Sequence, residues 1–148
     1  MNELRQLRLL IVEDEPGDAR LMQLAMQKNK YDVELHGASD GLEALRFLRR
    51  EGEQFSQAPR PDMILLDLKM PGLGGLEFLA QIKQDERLRI IPVVVITTSA
   101  LDADVAAAYK LGAAGYVPKP TDINEFVTAI RKFGEYWFKL VRLPANPA

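Results

Sequence analysis

Two rhythms of apolar and polar residues alternate along this chain. Short, nearly unbroken apolar runs stand at residues 7–12 (LRLLIV), 62–66 (DMILL) and 92–96 (PVVVI), and weaker ones at 33–37 and 114–117. Runs this short, bounded by turn residues, predict strands buried on both faces of a parallel sheet. Between them the period lengthens to that of a helix. Leu21, Leu24 and Ala25 mark a helix over 19–28, after the turn Pro16-Gly17-Asp18. Asp40-Gly41 opens a second helix with Leu42, Leu45, Phe47 and Leu48 inward, and Leu76, Leu79 and Ile82 define a third over 75–84. Asp102 or Asp104 caps a fourth, alanine-rich helix that ends near Gly112, and a long amphipathic helix runs from Asp122 to about Val141. The stretch 49–60 reads as a long polar loop ending in Pro59 and Pro61.

Five strands alternating with five helices imply right-handed crossovers and a parallel sheet covered on both faces. The chain is long enough for one domain with a real core. We expect a single domain over 1–148, with its core over 7–141, a short Pro-containing tail over 142–148 and no output domain.

Composition narrows the chemistry. A net charge of −2 gives no electrostatic case for nucleic acid. The absence of cysteine removes disulfides, thiolate metal sites and cysteine nucleophiles, and the single His36 removes histidine-rich zinc sites. No run approaches a membrane span and no signal-peptide pattern opens the chain, so the expectation is a cytoplasmic protein with no membrane partner.

The strand ends carry the polar residues that matter. Glu13 and Asp14 follow the first strand, Asp67 the third, Thr97 the fourth and Lys119 the fifth. In a parallel α/β sheet these carboxyl ends share one edge, where ligands bind. Asp67 alone reads equally well as a turn residue; the other four single it out. Clustered carboxylates repel in a partly desolvated site and call for a cation. Lys119 supplies one, and oxygen donors without His or Cys favour Mg²⁺ over zinc. An aspartate can act as nucleophile and form an aspartyl phosphate. Phosphoryl transfer mainly needs positioning and charge neutralisation, which Thr97, Lys119 and a metal can provide.

With Glu13-Asp14, Asp67 with Met70-Pro71 and Gly75, Thr97, Lys119-Pro120 and Tyr116 in this order and spacing, the chain resembles the receiver domains of two-component response regulators over about residues 7–140. The resemblance implies a flavodoxin-like (βα)5 doubly wound fold of strand order 2-1-3-4-5, here with an extended C-terminal helix. It makes Asp67 the phosphoacceptor. Glu13, Asp14, Asp67 and the backbone carbonyl of Lys69 become Mg²⁺ ligands. Thr97 and Lys119 contact the phosphoryl group, Thr97 and Tyr116 form the switch, and the bond before Pro120 is cis. The implied donor is a sensor histidine kinase or a histidine phosphotransfer protein. The loop REGEQFSQAPRPD and the ending YWFKLVRLPANPA also look like single-domain regulators paired with bacterial phytochrome kinases.

Other readings compete. A flavodoxin-like module could bind a nucleotide or flavin without phosphotransfer, but the acid, Thr and Lys set favours a signalling switch. Aspartyl phosphatases usually carry a second acid two residues after the nucleophile, where this chain has Lys69, so we expect no enzyme acting on outside substrates. Lys69 either sits over the phosphoryl group and obstructs water or points into solvent. Arg46, Arg49 and Arg50 read as a solvated helix face. On the last helix, Ile123, Phe126, Val127, Ile130, Gly134, Trp137 and Val141 share one face, with Ala129, Phe133, Tyr136 and Leu140 in an adjoining stripe. Together they span roughly 200° of apolar arc. We expect a homodimer through Phe133, Tyr136 and Leu140; the competing cover is the tail, 143–148, folding back.

Overall fold

The computed structural model describes residues 6–144. Its elements, in chain order, are β1 (Leu7–Val12), α1 (Pro16–Lys28), β2 (Val33–Ala38), α2 (Gly41–Arg49), α3 (Gly52–Phe55) and β3 (Met63–Leu66). They continue with α4 (Gly75–Gln84), β4 (Val93–Thr97), α5 (Asp102–Lys110), β5 (Gly115–Pro118) and α6 (Ile123–Gly134), which runs on as a π-helical segment, Glu135–Leu140. Among the described residues the strands form one sheet of order β2-β1-β3-β4-β5, every pair parallel. This is the flavodoxin-like order expected from the sequence. The chain reverses direction of winding between β1 and β3, so a crevice opens beyond their carboxyl ends.

Alternate side chains of each strand feed opposite faces of the sheet. Leu10, Val12, Ile64, Leu66, Val93 and Val95 pack with Phe47 of α2 and Phe78, Leu79 and Ile82 of α4. Leu9, Ile11, Met63, Leu65, Val94 and Ile96 pack with Met22 and Met26 of α1 and Phe126, Ile130 and Phe133 of α6. At roughly 1.5–3 kcal/mol for each fully buried aliphatic or aromatic side chain, these two layers dominate stability.

Helix starts follow local chemistry. α1 begins at Pro16, three residues before the expected start, because proline suits a first helical position and Glu15 accepts from the Gly17 amide. Asp40 and Asp122 cap α2 and α6 through the Glu43 and Glu125 amides. Neither Asp102 nor Asp104 caps α5: Leu101 holds the cap position, and Asp104 instead accepts from the Ser99 hydroxyl.

Five further expectations change. The 49–60 loop contains α3, whose Phe55 enters the core against Phe47; one apolar residue in a polar run is too faint a period to predict it. Leu42 is exposed because it falls off the buried stripe of Gly41, Ala44 and Leu45, and Ile123 is exposed because it stands in the first turn of α6, before the packed stripe starts at Phe126. The Lys119–Pro120 bond is trans, as are all described peptide bonds; trans is the lower-energy isomer by roughly 0.5–1 kcal/mol, and here it is compatible with the Lys119 amide donating to the Thr97 carbonyl. Finally, Phe133 is buried, 7% exposed, and does not belong to an outer face. α6 packs on α1 as well as on the sheet, so its inner arc is wider than one sheet requires. Phe133 meets Phe138 edge-on, and Tyr31 lies so close to Gly134 that any Cβ there would meet its ring. Tyr136 and Leu140 remain exposed, and Leu143 is half-buried against the same cluster.

Candidate functional site

The carboxyl ends of β1 and β3 bring their acids together. Val12 pairs with Leu66 in register, so Glu13 and Asp67 each leave the sheet one residue later, and the Asp67 amide donates to the Val12 carbonyl. Glu13, Asp14 and Asp67 each place a carboxylate oxygen within 4.8 Å of the others. Glu13 and Asp67 are buried and Asp14 is half-buried. Behind Asp67 the loop turns tightly: a Cβ on Gly75 would lie 2.5 Å from the Asp67 carbonyl oxygen, so only glycine lets α4 start against the acid's own backbone. The glycines of this loop serve close approach and turning.

β5 delivers the cation. The Lys119 amide donates to the Thr97 carbonyl, and the buried Lys119 ammonium donates to Glu13 Oε1 at 2.5 Å and to Asp18 Oδ2 at 2.9 Å. Burial pulls the amine's pKa down, but its bonds to Glu13 and Asp18 outweigh this and leave it raised. Glu13 is pushed up to about 7, first by burial and further by the neighbouring Asp67 carboxylate, against the opposing pull of Lys119. The site thus holds more negative charge than one lysine offsets.

Thr97 is fully buried, and its hydroxyl has no hydrogen-bond partner among the described residues. A buried hydroxyl left unpaired costs roughly 1–3 kcal/mol, which suits a donor awaiting an oxygen ligand. Two residues on, Ser99 donates to Asp104 at 2.5 Å, and its carbonyl accepts from the Tyr116 hydroxyl at 2.9 Å. Tyr116 is half-buried. Lys69 is exposed, with its amide 3.4 Å from Asp67 Oδ1.

Glu13, Asp14, Asp67, Thr97 and Lys119 therefore converge on one edge, as the strand-end reading required. Asp18 was missed. It was read as a turn residue, yet α1 begins early enough to place it one turn beyond the acid pair, facing Lys119. The Ser99–Asp104 contact was missed because Asp104 was assigned a capping role. Three convergent carboxylates with oxygen donors only fit a hard divalent cation.

The chain belongs to the response regulator receiver domain family, whose profile matches residues 9–131. It is a signalling protein of the two-component class, and among its relatives the phytochrome-associated regulators are prominent. It is 41% identical to the response regulator Rcp1 of Synechocystis sp. over 137 residues, covering 93% of this chain and 92% of Rcp1. It is 38% identical to the probable methanogenesis regulatory protein FilR2 of Methanothrix harundinacea, covering 92% of this chain and 86% of that one. Among solved structures, the phosphorylated cyanobacterial phytochrome response regulator RcpA superposes with a TM-score of 0.90 at 37% identity, over 95% of this chain and all of that chain, 100%. The Mn²⁺-bound form of Rcp1 superposes with a TM-score of 0.87 at 40% identity, over 94% of this chain and 99% of that one. Divalent-metal binding is thus seen in a relative, and this chain presents a donor set that fits it.

Proposed function

We propose that Asp67 accepts a phosphoryl group from the phosphohistidine of a sensor histidine kinase or a histidine phosphotransfer protein, with Mg²⁺ as the physiological metal. The carrying observation is the meeting of Glu13, Asp14 and Asp67 beside the buried Lys119 ammonium. An Asp67 carboxylate oxygen attacks phosphorus as the phosphorus–nitrogen bond to histidine breaks, and the histidine nitrogen leaves with the electron pair. Glu13, Asp14, Asp67 and the Lys69 carbonyl would hold the metal, which when bound neutralises charge on the acids and on a phosphoryl oxygen. Lys119 pairs with a second phosphoryl oxygen, and the Thr97 hydroxyl donates to a third. Drawing Thr97 toward that oxygen changes the packing next to Tyr116, which turns inward and releases the Ser99 carbonyl. The ligand shifts this equilibrium only through its different contacts in the two states.

The likeness to phytochrome regulators across nearly the whole chain supports a phytochrome-type kinase as donor. Membership of the receiver family supports a protein signal rather than an enzyme turning over outside substrates, with catalysis confined to the protein's own phosphorylation and dephosphorylation. Among the described residues no helix is long and apolar enough to cross a membrane. Exposed Tyr136 and Leu140, one turn apart at the end of the last helix, support a homodimer through that helix. Phosphotransfer from a labelled histidine kinase tests the central reading. Wild type takes up label in Mg²⁺ and loses uptake in a chelator, and Asp67→Asn takes up none. Undiminished labelling of Asp67→Asn overturns it.

A further inference from the structure

Lys119 is held at both ends of its residue. Its amide donates to the Thr97 carbonyl, which fixes the backbone against β4. Its ammonium donates to Glu13 Oε1 at 2.5 Å and to Asp18 Oδ2 at 2.9 Å. An ammonium carries three N–H donors, so these two acceptors leave one over.

The two acceptors differ in what else they do. Glu13 is one of the three acids whose oxygens converge for a cation, and its Oε2 also accepts from the Glu15 amide. Asp18 stands outside that group, and among the described residues its ion-pair partner is Lys119. Asp18 lies in the first turn of α1, where an acid complements the helix dipole. A dipole partner needs no particular side chain opposite it. Asp18 nevertheless meets a buried ammonium 101 positions away in the chain.

We propose that Asp18 is a positioning residue for phosphoryl transfer, holding the Lys119 ammonium with one N–H free for an oxygen of the incoming phosphoryl group. The proposal rests on the reading of Asp67 as phosphoacceptor. A lysine has a long, flexible stem, and ordering its charged end costs conformational entropy. Glu13 serves the cation site as well as Lys119, whereas Asp18 leaves the ammonium an anchor that does not depend on what Glu13 binds. The Asp18 side chain is 40% exposed, so water already screens its charge. It therefore holds Lys119 in place without cancelling the positive charge that the phosphoryl oxygen needs.

Two measurements on the full chain test this. The first follows the Lys119 Cε methylene by NMR in Mg²⁺ buffer with no phosphodonor. Wild type should show an ordered methylene with inequivalent protons. Asp18→Ala should show motional averaging, and Asp18→Asn, which keeps an oxygen acceptor in the same place, should retain the order. The second follows phosphate uptake from phosphoramidate in Mg²⁺. An Asp67 oxygen attacks phosphorus, the phosphorus–nitrogen bond breaks, and ammonia leaves with the electron pair. This small donor removes any effect of Asp18 on docking a kinase. Asp18→Ala should slow uptake roughly fivefold, between the worth of an exposed ion pair and that of a charge-assisted hydrogen bond, and Asp18→Asn by no more than about twofold. In a Lys119→Met background, Asp18→Ala should add no further loss. Lys119 as ordered in Asp18→Ala as in wild type overturns the proposal, as does equally fast uptake. The same further loss in the Lys119→Met background also overturns it, because Asp18 would then act through the fold. No uptake by wild type overturns the phosphoacceptor reading and with it the role in transfer, while the NMR comparison separately decides whether Asp18 holds Lys119.

Discussion

The Lys119 ammonium meets Glu13 Oε1 at 2.5 Å with both side chains almost wholly shielded from water. This pair, rather than a contact between Lys119 and Asp67, organises the resting site. It leaves Asp67 beside a carboxyl whose pKa is pushed up to about 7, so the charge state of Glu13 governs how the metal-free protein responds to pH.

Glu13 sits at about 7 in the folded protein against 4.5 for an unperturbed glutamate, because burial and Asp67 favour its neutral form. A folded-state pKa above the unfolded value means that the folded protein binds the extra proton. The contribution to stability is therefore fully present below about pH 4.5 and lost as pH rises through 7. Metal-free wild type should lose on the order of 1–3 kcal/mol of stability between pH 5 and 8 relative to Glu13→Gln. Denaturant melts of both proteins across that range check this; parallel pH profiles would remove Glu13 from the account.

Asp14 is the least buried of the three acids and the one whose charge is least engaged by protein groups. Asp14→Ala should weaken Mg²⁺ binding by roughly tenfold or more, since hard-cation affinity follows ligand charge. The metal-free variant should be as stable as wild type or more so, because a repulsive charge has gone. Calorimetric titration reads the first effect and thermal melting the second; unchanged Mg²⁺ affinity would place the metal elsewhere.

The Thr97 hydroxyl, unpartnered among the described residues, predicts a separation of acceptance from response. Thr97→Ala removes an unsatisfied buried group along with a methyl-sized contact, so metal-free stability should change by no more than about 1 kcal/mol. The variant should still accept phosphate but lose most of the rearrangement at Tyr116. NMR signals of Tyr116 and Ser99 report it, and an undiminished phosphorylation response in Thr97→Ala would route the coupling through other residues.

With Phe133 in the core, the large apolar side chains exposed at the C-terminal end of the last helix are Tyr136 and Leu140, 52% and 74% exposed. A double change to glutamate should turn a dimer into a monomer at tens of micromolar, with fold and metal binding retained. Sedimentation velocity decides it: wild type running as a monomer, or both proteins as dimers, would exclude this face.

The sequence carried the strands, their parallel pairing and the five strand-end residues, because buried runs and Gly/Pro loops leave strong local signals; the strand order came from the resemblance to receiver domains. What it could not carry depended on how helices meet one another. Phe133 looked like outer surface because a helical wheel shows one packing partner, whereas α6 has both the sheet and α1. Phe55 and α3 were hidden in a polar stretch because a single buried ring makes no period. Asp18 became legible only when Pro16 started α1 early and turned that carboxylate toward Lys119, a residue 101 positions away.

Chemical trapping at the acceptor is the most direct test of the central claim. An acyl phosphate on aspartate is reduced by borohydride to homoserine, which marks the phosphorylated carboxyl for peptide mapping by mass spectrometry. After phosphotransfer in Mg²⁺, the peptide containing Asp67 should carry the reduced residue at position 67 in wild type, and no other acid should be converted. Conversion at Glu13, Asp14 or Asp18, or none anywhere in protein that has taken up phosphate, would contradict the assignment of Asp67 as acceptor.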